Sequence, residues 1–308
     1  MNSRKQLDLA SRWNAALWAL IVGYAAARFL QVFPLVPMLA VVILHVVLPA
    51  LFALLHGAKL YGVRSILVFV ALCLTVGNIF ENLGVRTGFP FGRYFFSDLM
   101  GPKFLVVPVF LGLAYVGMAY LSWTLARLIL RDRQAAIAKS HLLTLPLLAS
   151  CIMISWDLSM EPVWSTIVHA WIWQSGGPYF GVPLSNFFGW FLTVYVFYQL
   201  FALYLRGRAS YADSRCVVAE MPTSYWNLPV VFYAVSAAGN LLLLIPEAGP
   251  PLVSDGAGVQ WRVSAITAAC AIVSVFTMGS FSLWAWIKRP RSSFQIKLGD
   301  ISSSYVTH

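Results

Sequence analysis

LVPMLAVVILHVVLPALFALLH, residues 35–56, contains no Asp, Glu, Lys or Arg. At about 1.5 Å per residue, a helix of that length crosses the roughly 30 Å hydrocarbon core of a bilayer. A soluble helix keeps one polar face for water, and this stretch has none. Similar apolar runs recur near 13–32, 65–83, 105–128, 141–160, 186–205, 228–246 and 263–287. Lipid leaves no partner for an unpaired peptide group, so runs of this length imply helices. The expected fold is all-α: a polytopic transmembrane bundle of about eight helices over residues 1–290. His45 and His56, inside the quoted run, read as structural or interfacial groups rather than catalysts.

Composition agrees. Of 308 residues, 60% are hydrophobic and 10% charged, against roughly 45–50% and 25% in soluble domains. Mean hydropathy is +0.76. The net charge of +10 does not mark a nucleic-acid binder, because the basic residues sit at helix ends rather than on one surface. Cys73, Cys151, Cys216 and Cys270 show no CxxC or Cys/His spacing and read as packing residues, without a disulfide framework or a metal site.

The basic residues also orient the bundle. With the N-terminus in the cytoplasm, only Arg28, Arg86, Arg93, Lys103 and Arg262 fall on the outer side, and every other Lys and Arg falls inside. Eight helices with both termini cytoplasmic satisfy that asymmetry. Arg4 and Lys5, followed by Ala25-Ala26-Ala27, resemble a signal peptide, but the apolar run starts at Trp13 and the topology closes with this helix retained. The Ser-rich segment 291–308 reads as a disordered cytoplasmic tail. The expected location is a bacterial inner (plasma) membrane.

Ionisable groups within membrane segments are costly and point to function. Glu81 closes the third apolar run and Asp157 the fifth, with Glu161 one turn beyond. Both runs point outward, so the three carboxyl groups share one depth. Asn78 and Glu81 are three residues apart and share a helix face, with Arg86, Arg93 and Tyr94 following. A second aromatic and glycine-rich stretch runs from Trp171 and Trp173 through Tyr179 and Phe180 to Asn186; the span from His169 to Asn186 reads as a re-entrant or interfacial piece. The residue before a proline avoids the α region, so a helix carrying Asp157 and Glu161 to Pro162 on one face is not expected. The bland readings are a carboxylate in headgroup water and an aromatic interfacial belt. Nucleotide, haem and metal-protease motifs are absent, so no cofactor is expected.

The run Glu81-xx-Gly84-xx-Thr87-Gly88-xx-Phe91-Gly92-x-Tyr94 resembles the signature of carotenoid biosynthesis membrane proteins of the CruF type. Two further stretches carry the likeness: Trp156-Asp157-Leu158-xx-Glu161-Pro162, and Gly177-x-Tyr179-Phe180-Gly181-Val182-Pro183-xx-Asn186-Phe187-x-Gly189-Trp190. The resemblance covers roughly residues 15–285. One departure is Glu161, where the family pattern has Asp before the proline. Members include carotenoid 1,2-hydratases and bisanhydrobacterioruberin hydratases. The resemblance therefore implies a cofactor-independent hydratase that adds water to the terminal C1,C2 double bond of an acyclic carotenoid ψ-end. Its partners would be a lipophilic polyene, water, membrane lipid and other carotenoid-pathway enzymes, and not nucleic acid.

Such a reaction needs a protonated acid, a base to position water, and shelter for a tertiary cation. A desolvated carboxyl group at the bilayer edge supplies an acid, and aromatic faces stabilise a cation by about 0.5–2 kcal/mol each. The expected roles are Asp157 as acid and Glu81 as its ionised partner, or the reverse. Arg86 and Arg93 would keep a carboxylate charged, and Glu161 is a further catalytic candidate. Tyr94, Trp171, Trp173, Tyr179 and Phe180 would line the substrate, with Asn78 and Asn186 as polar contacts. A cyclase or isomerase using the same protonation, and a proton-coupled carrier, remain as alternatives.

Overall fold

The computed structural model describes residues 3–33, 35–211, 221–245 and 249–290, the side chains of 3–10, 38 and 209–211 excepted. The expected tail at 291–308 and Cys216 lie outside the described residues. The apolar runs form eight helices among the described residues: α1 Ser3–Val32, α2 Met38–Tyr61, α3 Val63–Thr87, α4 Val109–Ile129, α5 Thr144–Pro162, α6 Leu184–Tyr211, α7 Thr223–Gly239 and α8 Val263–Lys288. All but α5 are long and apolar enough to cross a membrane. α5 is not, because Ser150, Ser155, Asp157, Ser159 and Glu161 dilute its apolar residues; all five are buried. α5 packs on α4, α6 and α8, which keep those polar groups from lipid.

Some boundaries differ from the expected ones for local reasons. α4 begins at Val109 rather than 105 because Lys103–Phe104 (β2) and Val107–Pro108 (β3) pair as a hairpin first. Proline at position 108 then suits the residue before a helix, where a missing N–H leaves nothing unpaired. α5 persists through Pro162, which is itself helical at φ −64°, and continues as a π-turn over Val163–Ile167. The expected break before the proline does not occur. A proline in a helix leaves the carbonyl four residues back without its donor, here that of Leu158. The Tyr179 hydroxyl donates to that carbonyl at 3.0 Å. A side chain from the following loop thus repairs the ladder and lets Asp157 and Glu161 share one face.

The piece expected between His169 and Asn186 forms Trp171–Trp173 (β4), which pairs antiparallel with Tyr94–Phe96 (β1). β1 belongs to the α3–α4 connection and β4 to the α5–α6 connection. Their pairing gathers the ends of α3 and α5 and the starts of α4 and α6 at one end of the bundle. A third hairpin, Leu252–Ser254 (β5) with Gln260–Arg262 (β6), precedes α8. At the opposite end Arg208 donates to the Tyr61 carbonyl at 2.9 Å, joining α6 to α2. There the fully buried Arg127 holds the α4–α5 connection, pairing with Asp132 Oδ1 at 3.1 Å and donating to Tyr61 Oη at 2.6 Å. Basic side chains of this end, Lys59, Arg127, Arg206, Arg208 and Lys288, follow the asymmetry read from the sequence. Arg28 shares a cavity with Met100 and Trp171 of the carboxyl end, but it is buried in the bundle, 5% exposed, and bonded to Asn240.

Candidate active site

Glu81 stands on α3 about two turns before the Gly88 that caps that helix. It is buried at 3% exposure and receives one phenol on each oxygen: Tyr115 of α4 donates to Oε1 at 2.5 Å, and Tyr94 of β1 donates to Oε2. Tyr94 reaches it because residue 84, one turn along the same face, is glycine. A Cβ there would stand 2.6 Å from a ring carbon of Phe91 and 3.1 Å from the Tyr94 oxygen. Burial first, and the Glu81 carboxyl behind it, hold the Tyr94 phenol far above its ordinary pKa, so Tyr94 serves as a donor.

The strand pair supplies the roof. Side chains alternate along a strand and directly paired residues share a face. Tyr94 is opposite Trp173 and Phe96 opposite Trp171, and all four are buried, while Phe95 is exposed. Both indole N–H groups of this face donate to one oxygen of Glu161, Trp171 at 2.6 Å and Trp173 at 2.8 Å. The indole N–H can only donate, because its nitrogen has no free lone pair with which to accept. Glu161 is therefore fixed by two neutral donors, as Glu81 is by two phenols. Asp157, one turn earlier on α5 and fully buried, receives the Asn186 amide on Oδ2 at 3.2 Å, and its Oδ1 has no partner. The carboxyl groups thus differ: Glu81 receives a donor on each oxygen, Glu161 receives two on Oε1, and Asp157 has an open oxygen where a proton can sit.

Glu81, Glu161 and Asn186 line a common cavity of about 30 Å³, walled by Phe91, Tyr94, Phe96, Trp156, Trp171, Trp173 and Trp190. That is room for about one water, with polar partners to hold it. Asp157 stands behind Asn186, outside the lining. A second cavity of about 60 Å³ lies across Trp171, Trp156 and Met160 and contains Arg28 and His45.

The remaining expected residues are placed elsewhere. Arg86 and Arg93 are exposed, and the donors on Glu81 are tyrosines in their place. Asn78 receives the Asn82 amide at 3.0 Å and faces a different crevice, between α3 and α4. Tyr179 is occupied by the Leu158 carbonyl, and Phe180 packs on Trp261 at 5.4 Å in a satellite cluster with Val163, Ile266 and Cys270. Neither lines the cavity. His56 is satisfied by Tyr120 at 2.7 Å and the Tyr225 carbonyl at 2.9 Å. Asn240 joins three helices through Arg28, Ser159 and Ser274. Sequence reading missed Tyr115, whose signal is a phenol in an apolar helix that must find an acceptor. It also gave no role to Trp190, which stacks on Tyr115 at 4.4 Å.

Comparison with known proteins adds three findings. No solved structure matches the chain. Bisanhydrobacterioruberin hydratase of Haloarcula japonica is 32% identical over 139 residues, which is 45% of this chain and 45% of that protein. The chain thus aligns with under half the length of that relative. A family model described as carotenoid biosynthesis protein matches residues 38–246, a span containing all three carboxyl groups and both strands of the roof. The chain belongs to the carotenoid biosynthesis protein family.

Proposed function

We propose that this membrane protein hydrates the terminal double bond of an acyclic carotenoid end. The observation that carries the reading is the water-sized cavity bounded by Glu81 and Glu161, backed by Asp157 and roofed with aromatic faces. The donors that reach these carboxyl groups are neutral. Three carboxylates packed this closely would repel one another in a medium of low dielectric, which favours a proton held within the group.

In the proposed step, a proton held by the α5 pair, Asp157 and Glu161, passes to the inner carbon, C2, of the terminal C1,C2 alkene. The alkene's electron pair forms the new C–H bond and leaves a tertiary cation on the neighbouring carbon. Trp156, Trp171, Trp173 and Trp190 surround that cation with π-faces. Water held by Glu81 and Asn186 adds to the cation, and Glu81 takes the surplus proton. The product is a tertiary alcohol, one water heavier, and return of the proton to α5 completes the cycle.

Cavity size and polarity favour this reading over ring closure. Cyclisation would need room for a folded chain and no bound water. A carrier needs carboxyl groups accessible from both sides, whereas these gather at one end of the bundle. The test is expression in a lycopene-producing host, followed by mass analysis of the pigment. Expected is a gain of one water per modified end. Unchanged mass with a new ring, or flux in vesicles without product, would overturn the reading. Asp157→Asn and Glu81→Gln should each lower product formation about 10²–10⁴-fold, the usual worth of a positioned acid or base, with membrane expression retained.

A further inference from the structure

The geometry points to the crevice between α3 and α4 as the binding groove for the isoprenoid chain, with access sideways from the bilayer. This inference rests on the reading of the carboxyl site as acting on an isoprenoid end. The crevice encloses about 420 Å³, against about 30 Å³ for the carboxyl cavity, which cannot hold any appreciable length of polyene. Its walls are mostly apolar, with Cys73, Leu74 and Ile79 from α3, Leu111 and Gly112 from α4, and Phe104 from the β2–β3 hairpin, while Thr75 and Asn78 add polar positions.

Three observations tie it to the site. Glu81 and Leu111 line both spaces, so Glu81 stands at the junction where a chain end leaving the crevice would meet the water-sized cavity. From Glu81 back to Cys73 the groove follows α3 for about 12 Å at 1.5 Å per residue. Its long axis therefore suits an extended chain lying along a helix. Ile79 at 58% exposure and Phe104 at 61% face outward at its edge, where the bilayer carries the polyene. A preformed apolar cleft ending in a few convergent polar groups is the usual form of a site for a lipophilic ligand. The arrangement also explains Asn78, which shares a helix face with Glu81 yet faces the crevice and not the water cavity.

The test measures binding of lycopene to purified protein in lipid nanodiscs, read as the induced circular dichroism of the bound polyene, a signal that requires no turnover. Thr75→Trp and Ile79→Trp would fill the groove from its lipid-facing edge. Leu67→Trp places the same side chain on an exposed part of α3 away from it. Thr75→Val, similar in size to the original, controls for loss of the hydroxyl. Thermal unfolding of each variant reports folding. Expected is binding at least tenfold weaker in both groove variants, unchanged in Leu67→Trp and Thr75→Val. Folded groove variants that bind like the wild type would overturn the inference, as would a signal in the wild type that ordinary phospholipid abolishes. Asp157→Asn separates the two claims: it should bind lycopene normally while forming no product. Water addition with groove variants unaffected would sink the groove alone. Groove-dependent binding with no water added by the wild type would sink the hydratase reading alone.

Discussion

At the scale of single residues, partners decide what each polar group does. Tyr179 is in a stretch that resembles a substrate-lining motif, yet its hydroxyl completes the ladder that Pro162 interrupts. Tyr179→Phe would leave the Leu158 carbonyl unpaired, a loss of about 1–3 kcal/mol for a buried acceptor. Expected is a lower unfolding temperature with product formed per folded molecule retained; a specific loss of turnover at unchanged stability would place Tyr179 in the chemistry instead. Tyr115→Phe is the converse case. It removes one of two donors on Glu81, and losing a hydrogen bond to a charged group, about 1.5–3 kcal/mol, should slow turnover on the order of 10–100-fold. The carboxyl groups were legible in the sequence because a charge in an apolar run has no cheap explanation. Tyr115 was not, since a phenol in such a run is unremarkable until its acceptor is known. Arg86 misled by proximity: five residues along a helix turn it about 140° away from Glu81.

At the scale of elements, the site is built where two connections close over four helix ends. The helices were legible from their length and apolar content. Strands of two or three residues were not, because so short a run carries no alternation to read; only the pairing of Tyr94 with Trp173 and of Phe96 with Trp171 reveals the roof. Gly84 and Gly189 make that roof possible. A Cβ at either would come within 2.6 Å of the Phe91 ring, from opposite sides. Gly84→Ala should therefore overpack the roof at about 1–3 kcal/mol and lower product formation, seen together in unfolding temperature and pigment yield. Pairing it with Phe91→Leu should restore part of both. No recovery in the double variant would mean that Gly84 matters for another reason.

At the scale of the whole molecule, the eight-helix count and the basic asymmetry were legible, and they agree with the pairing of connections at one end. What the sequence could not resolve was depth within the bundle. Arg28, counted by position among the outer residues, is buried against Asn240, because Gly239 leaves the space its guanidinium fills. The arrangement predicts sidedness. A cysteine introduced by Asp98→Cys, in the exposed α3–α4 connection, should react with an impermeant maleimide on intact cells. One introduced by Ser140→Cys, in the exposed α4–α5 connection, should react only after lysis. The reverse pattern would invert the orientation and put the carboxyl end in the cytoplasm.

The most direct measurement supplies purified protein with lycopene in heavy-oxygen water and follows the pigment by mass spectrometry. The expected result is a tertiary alcohol whose oxygen carries the solvent label, formed by wild type and not by Asp157→Asn or Glu81→Gln. Full labelling by both amide variants, or a wild-type product without solvent oxygen, would contradict water addition by these carboxyl groups.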